Sequence, residues 1–453
     1  MSPNPKTNKY TEISQKYGDP WIWGIYIMLL IISIVESYSA SSREIASQGI
    51  YMPIFKQCFF LAVGAVSVVL LQRVDYNKPA FLYAMIPGLA VITVFCLIYV
   101  MFFGEIINGA RRAMTILPGV TLQPAELAKL SIVTILSYIF AKSQKNQDIS
   151  TNGLIGAAVV VALYGGLMIR SGLTNTLLLI AISGSMLLIG GAKFKKIGIL
   201  MLFFGIMFGF FVIIKSSNDK KEEMFKDSQK EMQYTATNDS LQEDMPSGMD
   251  ARQEVARSGT WKKRVNEWLN SDSLVHKPIT AKNQQEMFSR MAQANGGIVR
   301  FGVGKSRECS RLPLAFSDYI YSIIVEEWGF VGGIFVMLLY LSLLGRAAMI
   351  VRRSKRVLPS LLVIGMASFI TFQALFHMAI NVGVFPVSGQ PLPLISKGGT
   401  SIIVISVAFG VMLSVSRTIA NYGNKKNKVE ETPIIEGLDA ENPTEIPAKN
   451  VWR

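Results

Sequence analysis

The chain has 453 residues, 50% of them hydrophobic and only 17% charged, with a net charge of +14. Soluble domains carry about 25% charged residues, so a water-surrounded globule is excluded and a set of lipid-embedded helices is the natural reading. The basic excess points to loops held on the cytoplasmic side of a membrane rather than to nucleic acid. Three cysteines and two distant histidines leave no disulfide framework or paired metal site to draw.

In chain order, a polar leader with Lys6, Lys9 and Lys16 precedes an apolar run from Trp21 to Tyr38. That run is long enough to span, so it reads as a retained first helix rather than a cleaved signal. A hydrocarbon core of roughly 30 Å takes about 20 helical residues. Ten stretches meet that need: 21–40, 52–72, 80–103, 125–141, 153–169, 173–192, 197–215, 318–345, 358–384 and 400–416. The expected fold is therefore an all-α polytopic membrane protein with ten transmembrane helices. Its organisation is a tail over 1–20, helices over 21–215, a large loop over 216–317, helices over 318–417 and a disordered tail over 418–453.

Ten spans put both termini on one side. With that side cytoplasmic, the inner stretches hold basic runs such as Lys193-Phe-Lys195-Lys196 and Arg352-Arg353-Ser-Lys355-Arg356. The outer ones hold scattered Arg43, Lys56, Arg111, Arg112, Arg170 and Lys397. This asymmetry favours both termini inside and the large loop outside. The first half of that loop is polar and poor in aromatics, hence expected to be mobile. Its second half holds TWKKRVNEWL, where Trp261, Val265 and Trp268 share one helical face. Such a helix either lies on the membrane surface or packs on the loop.

Ionisable residues inside spans are costly and commonly functional. Here they are Glu36, Lys56, Glu126, Lys129, Arg170, Asp318, Glu326, Glu327 and His377. Gln123-Pro124 suits a helix start, and Glu126 and Lys129 then share a face three residues apart. They are either a structural ion pair or part of a site. Arg111 and Arg112 stand in the outer loop NGARRAMTILPGVTLQPAE; with Lys129 they suit phosphate oxygens, headgroup contact being the alternative. Asp318 opens the eighth span, either as a plain N-terminal cap or as a base at the membrane edge. One of Glu326 and Glu327 is expected to pair with Arg or Lys of another span, in a structural role. After span nine, NVGVFPVSGQPLPLISKGGTS holds too many prolines and glycines for a helix. Non-helical backbone at membrane depth is tolerated only inside protein or against a polar cavity. Ser396, Lys397 and the amides of Gly398 and Gly399 are thus candidates to hold an anion.

These segments resemble the motifs of the SEDS family (shape, elongation, division, sporulation), the family of FtsW and RodA. PVSGQPLPLISKGGTS, from Pro386 to Ser401, is similar to P-x-T-G-x-P-L-P-x-x-S-x-G-G-[ST]-S. SDYIYSIIVEEWGFVGG, GARRAMTILPGVTLQPAELAK and ANGGIVRFGVGKS resemble three further family segments, and the likeness spans about residues 20–420. Three departures stand out: Ala113 for the family's tryptophan, Ala125 for the serine of Q-P-S-E, and Arg170–Thr176 for Q-P-D-x-G-T, whose aspartate is absent.

The resemblance implies ten transmembrane helices with a large extracytoplasmic loop between the seventh and eighth. It also implies polymerisation of lipid II (the undecaprenyl-diphosphate-linked disaccharide peptide) into peptidoglycan strands at the outer face of the cytoplasmic membrane. The family's essential aspartate falls on Asp318. A class B penicillin-binding protein is the implied partner, together with other divisome membrane proteins. SKGGTS, the departure at 170–176 and the polar tail favour the division branch over RodA-like elongation.

On this reading Asp318 takes the proton of an attacking sugar hydroxyl. Arg111, Arg112, Gln123, Glu126, Lys129, Ser396, Lys397, Gly398 and Gly399 are the candidate substrate-binding set. The departing diphosphate is balanced by these cations or by a divalent ion, magnesium or manganese, and no protein metal site is assigned. A lipid II transporter and a non-enzymatic scaffold are the competing readings.

Overall fold

Apolar helices dominate the computed structural model. It describes residues 12–40, 51–76, 84–107, 110–117, 120–145, 148–169, 172–198, 283–300, 302–312 and 315–425, together with 268 and 279. Asp19 fixes the first helix, α1 (Pro20–Ala40), by accepting the Trp21 N–H at 2.9 Å. Then come α2 (Tyr51–Leu71) and α3 (Ile86–Phe103), whose large apolar side chains, Phe95 and Phe103 among them, point outward. Exposed rings of this kind belong against lipid, where the surrounding solvent is itself apolar.

Three short antiparallel strands follow, β1 (Glu105–Ile107), β2 (Ala110–Leu117) and β3 (Val120–Leu122), in the order β1-β2-β3. Ile106 pairs with Arg111 and Thr115 with Thr121, with a register shift in each ladder. Helix α4 (Pro124–Ser143) begins directly after this hairpin. Its first residue is a proline, and Gln123 before it is extended, which suits a position whose N–H has no helical partner anyway. A two-strand ladder, β4 (Gln144–Lys145) with β5 (Asp148–Ile149), leads to α5 (Thr151–Ile169) and α6 (Leu173–Ile189). The remaining helices are α7 (Gln284–Gly296), α8 (Ile320–Arg353), α9 (Val357–Asn381) and α10 (Thr400–Lys425).

Eight of these are long and apolar enough to cross a membrane: α1 to α5 and α8 to α10. α6 is apolar but shorter. This is a polytopic helical membrane protein. The expected seventh span, 197–215, lies outside the described residues but for its first two. So do Arg170, all of 216–282 but for 268 and 279 (the TWKKRVNEWL segment included), and the tail beyond 425. The chain divides into two compact units, Met1–Ala192 with Asp272–Arg453, and Lys193–Ser271. Every element named above belongs to the first.

Within that unit α9 is central and packs against α8, α4, α10 and α6. Close approach depends on small residues, because lipid offers no hydrophobic drive to helix association. At Gly365 an added Cβ would lie 2.7 Å from Val133 of α4 and 3.1 Å from Met186 of α6. Helix α8 runs eight residues past its expected end, so Arg346 sits inside it rather than in a loop. Its guanidinium forks onto Asp19, with Nη2 2.6 Å and Nε 3.0 Å from Oδ2, and so ties the start of α1 to α8.

Helix α8 breaks at Gly329, whose φ of 75° and ψ of −179° are non-helical. The break frees backbone groups that must find partners, and the segment after α7 supplies them. Phe330 and Val331 donate to the carbonyls of Gly297 and Ile298, at 3.0 and 3.1 Å. Gly302 donates in turn to the Glu327 carbonyl at 3.0 Å.

Candidate active site

Asp318 lies in a turn two residues before α8, half-buried, rather than in the helix's first turn as expected. The N-cap position belongs to Tyr319 and makes no side-chain cap, so Asp318 is not the plain cap that its sequence position allowed. Ser317 donates to its Oδ1 at 2.8 Å.

The Pro–Gly segment after α9 closes on this turn. Lys397 donates its backbone N–H to the Phe316 carbonyl at 3.0 Å and lays its ammonium over the Phe316 ring at 5.0 Å. Ser396 donates to the Ser317 carbonyl and accepts the Leu392 N–H, both at 2.7 Å. Its buried hydroxyl thus bonds within the protein at both the donor and the acceptor side. Gly398 and Gly399 lead into α10, and their carbonyls accept its first amides, Ser401 and Ile402. Thr400 donates to the Thr121 carbonyl at 2.8 Å, joining the same segment to strand β3 and hence to Gln123.

One face of α9 carries Gln373, His377 and Asn381 at four-residue spacing, so they stack along the helix. Each grips a different part of the site. Gln373 Nε2 reaches the Pro391 carbonyl at 3.3 Å, His377 Nδ1 is 2.6 Å from the Gln390 carbonyl, and Asn381 Nδ2 donates to the Asp318 carbonyl at 3.1 Å. Non-helical backbone at this depth is satisfied by polar side chains of a neighbouring helix, as burial requires.

The Glu126–Lys129 pair is 2.7 Å apart and buried, and the same ammonium donates to Gln373 Oε1 at 2.6 Å. Its side chain is 0% exposed, so in this conformation Lys129 braces α4 against α9 instead of facing a phosphate. Arg111 and Arg112 project from opposite faces of β2, as strand alternation dictates. Arg111 donates to the Phe102 carbonyl at the end of α3. The Arg112 guanidinium lies beside Gly172, 3.5 Å from where a Cβ would stand, at the turn whose family aspartate is missing here. The two arginines therefore reach different neighbours, the end of α3 and the stretch at Gly172.

Glu326 and Glu327 are fully buried, and among the described residues neither has the Arg or Lys partner that was expected for one of them. Glu327 Oε1 accepts the amides of Gly304 and Ser306 at 3.1 and 3.3 Å and the Ser39 hydroxyl. Glu326 accepts the Arg307 and Glu308 amides at 3.0 and 3.4 Å and the Ser306 hydroxyl. Two helical carboxylates thus fasten the loop 304–308 through its own backbone. Among the described residues no group of three or more His, Cys, Asp or Glu is placed to hold a metal ion.

The sequence profile of the FtsW–RodA–SpoVE family of cell cycle proteins matches residues 20–242 and 255–421. The chain belongs to this family. It is 26% identical over 405 residues to a probable peptidoglycan glycosyltransferase FtsW of Trichlorobacter lovleyi, covering 87% of this chain and 93% of that one. It is likewise 26% identical over 412 residues to the probable peptidoglycan glycosyltransferase FtsW of Bacillus subtilis, covering 90% and 92%. Its fold is similar to a chain solved within a peptidoglycan synthase complex that coordinates polymerization and crosslinking. There the TM-score is 0.59 at 21% identity, over 88% of this chain and 98% of that one.

In this FtsW–RodA–SpoVE chain the motif segments converge in space. PVSGQPLPLISKGGTS, SDYIY and the hairpin before QPAELAK are joined by direct hydrogen bonds. Reading by residue type passed over Asn381, Gln373 and Ser322, because uncharged polar residues in an apolar span carry no cost that stands out. Their spacing on α9 and α8 was the available signal.

Proposed function

We propose that this chain is a peptidoglycan glycosyltransferase that polymerises lipid II into glycan strands at the outer face of the cytoplasmic membrane, in septal synthesis during division. Its family membership and the glycosyltransferase names of its relatives support the activity. The single observation that carries the site is the half-buried Asp318 at the end of an apolar helix, held in place by the Pro–Gly segment and by α9.

In the proposed step the 4-hydroxyl oxygen of the acceptor sugar attacks the anomeric carbon of a lipid-diphosphate-linked sugar. The new C–O bond forms as the bond to diphosphate breaks, with inversion, and Asp318 takes the hydroxyl proton. A glycosidase needs a second carboxyl to protonate a poor leaving group. Diphosphate leaves without that help, so one carboxylate is enough. Arg112 and Lys397, on segments bonded into the same site, are the cations assigned to the developing negative charge.

A class B penicillin-binding protein is the proposed partner, because polymerization and crosslinking are coupled in the synthase complex that contains the similar fold. The test is purified chain, with and without that partner, given lipid II and resolved on a gel. Glycan polymer is the expected product. Movement of lipid II across a liposome bilayer with no polymer formed overturns the reading in favour of a transporter.

A further inference from the structure

Asn381 ends α9 and is buried to 2% exposure. Its side-chain amide spends both hydrogens on carbonyls, Asp318 at 3.1 Å and His377 at 2.9 Å. Its Oδ1 accepts the Ser322 hydroxyl at 2.9 Å. Carbonyl oxygens only accept, so the amide has one orientation; a flip would set oxygen against oxygen twice. The node is braced from the loop side as well. Gln293 of α7 donates to both the Asn381 carbonyl at 2.7 Å and the Ser322 hydroxyl oxygen at 2.9 Å, and Ser289 lies 2.7 Å from the same hydroxyl. Three helices thus meet at one amide whose free end holds the backbone of Asp318.

We infer that Asn381 is a positioning residue for catalysis: through the Asp318 carbonyl it fixes where that carboxylate points, and Ser322 and Gln293 fix Asn381. The inference rests on Asp318 acting as the base. Its physical ground is that a general base works only within hydrogen-bond reach of the proton it takes. A displacement of about 1 Å can cost on the order of a hundredfold. Asp318 lies in the turn before α8, outside the helix's own ladder, and the Asn381 amide is the side chain bonded to its carbonyl, while Lys397 and Ser396 hold the two carbonyls before it.

The test uses the full chain with its partner and lipid II, measuring kcat and KM for polymer formation. Asn381→Asp keeps the shape and the Ser322 bond but sets an oxygen against two carbonyls. The expected result is a fall in kcat of roughly ten- to a hundredfold, with KM changed less than about twofold. In an Asp318→Glu background, where the acid is already displaced, the same replacement adds less than about twofold, the non-additivity of residues that act through one another. A merely structural role predicts equal losses in both backgrounds, tracking the melting temperature, and that result overturns the inference. Should Asn381→Asp not fold, Ser322→Ala leaves the Asn381 side chain in place but removes the hydroxyl that aims its amide, together with that hydroxyl's bonds to Gln293 and Ser289, and is read in the same two backgrounds. Wild-type kcat in it overturns the inference too. Failure of the base itself shows separately, as an active Asp318→Asn.

Discussion

At the scale of single residues, the costly groups sort by what satisfies them. Lys129 and Glu126 neutralise one another in a site closed to water, and Gln373 takes up a further ammonium hydrogen. Removing one partner strands the other, which costs about 3–5 kcal/mol, whereas replacing both with apolar side chains of similar volume is close to neutral. Lys129→Met and Glu126→Met are each expected to melt far below wild type, and the two together well above either single variant. Scanning calorimetry of the purified protein checks this; a double variant as damaged as the sum of the two would show that the pair holds something beyond itself. The sequence made this pair legible because spacing alone puts residues three apart on one helical face. It did not make the arginines legible, since their meaning depended on whether Arg111 and Arg112 stood on a strand or in a loop.

At the scale of elements, the instructive feature is the break in α8. EEWG reads as continuous helix in sequence, because the apolar run continues through it. Instead Gly329 takes a positive φ, and its Cα faces backbone of the segment after α7. A Cβ there would stand 2.7 Å from the Ile298 carbonyl oxygen and 2.8 Å from the Val299 Cα, neither of which can move aside alone. Gly329→Ala therefore meets both a strained conformation, worth about 1–2 kcal/mol, and a backbone clash. The expected outcome is a lower melting temperature, together with faster tryptic cleavage after Lys305 and Arg307 as the loop lifts from Glu326 and Glu327. An unchanged digestion pattern would mean that the loop does not depend on the break. The outer hairpin was likewise missed as structure, although Pro118-Gly119 flanked by β-branched Thr115, Ile116, Val120 and Thr121 is a strand–turn–strand signal in sequence. The described spans were legible to within a few residues, save for α8 and α10, which run eight and nine residues past their expected ends, α10 into the stretch expected to be a disordered tail. Length and apolarity leave a membrane helix few alternatives.

At the scale of the whole molecule, the sequence's charge asymmetry assigns the Pro–Gly segment and Asp318 to the outside and the Arg352–Arg356 run to the inside. This is checked on intact cells with single cysteines in a chain freed of Cys58, Cys96 and Cys309. A membrane-impermeant maleimide is expected to label position 397 and to leave position 355 unlabelled until the membrane is opened. Labelling in the reverse order would put the site on the wrong side for lipid II polymerised outside. The hairpin lies nearly two hundred residues before SDYIY, and the Pro–Gly segment begins 65 residues after it. Only the tertiary fold shows why they belong together: α9 presents a polar face to the segments that its own bundle cannot satisfy.

The measurement that bears most directly on this account is the rate at which the purified chain with its partner converts lipid II to polymer, compared between wild type and Asp318→Asn. Loss of a general base predicts a fall of about 10²- to 10⁴-fold, with an unchanged melting temperature and undiminished binding of lipid II. Turnover within a few-fold of wild type in a well-folded Asp318→Asn complex would contradict it.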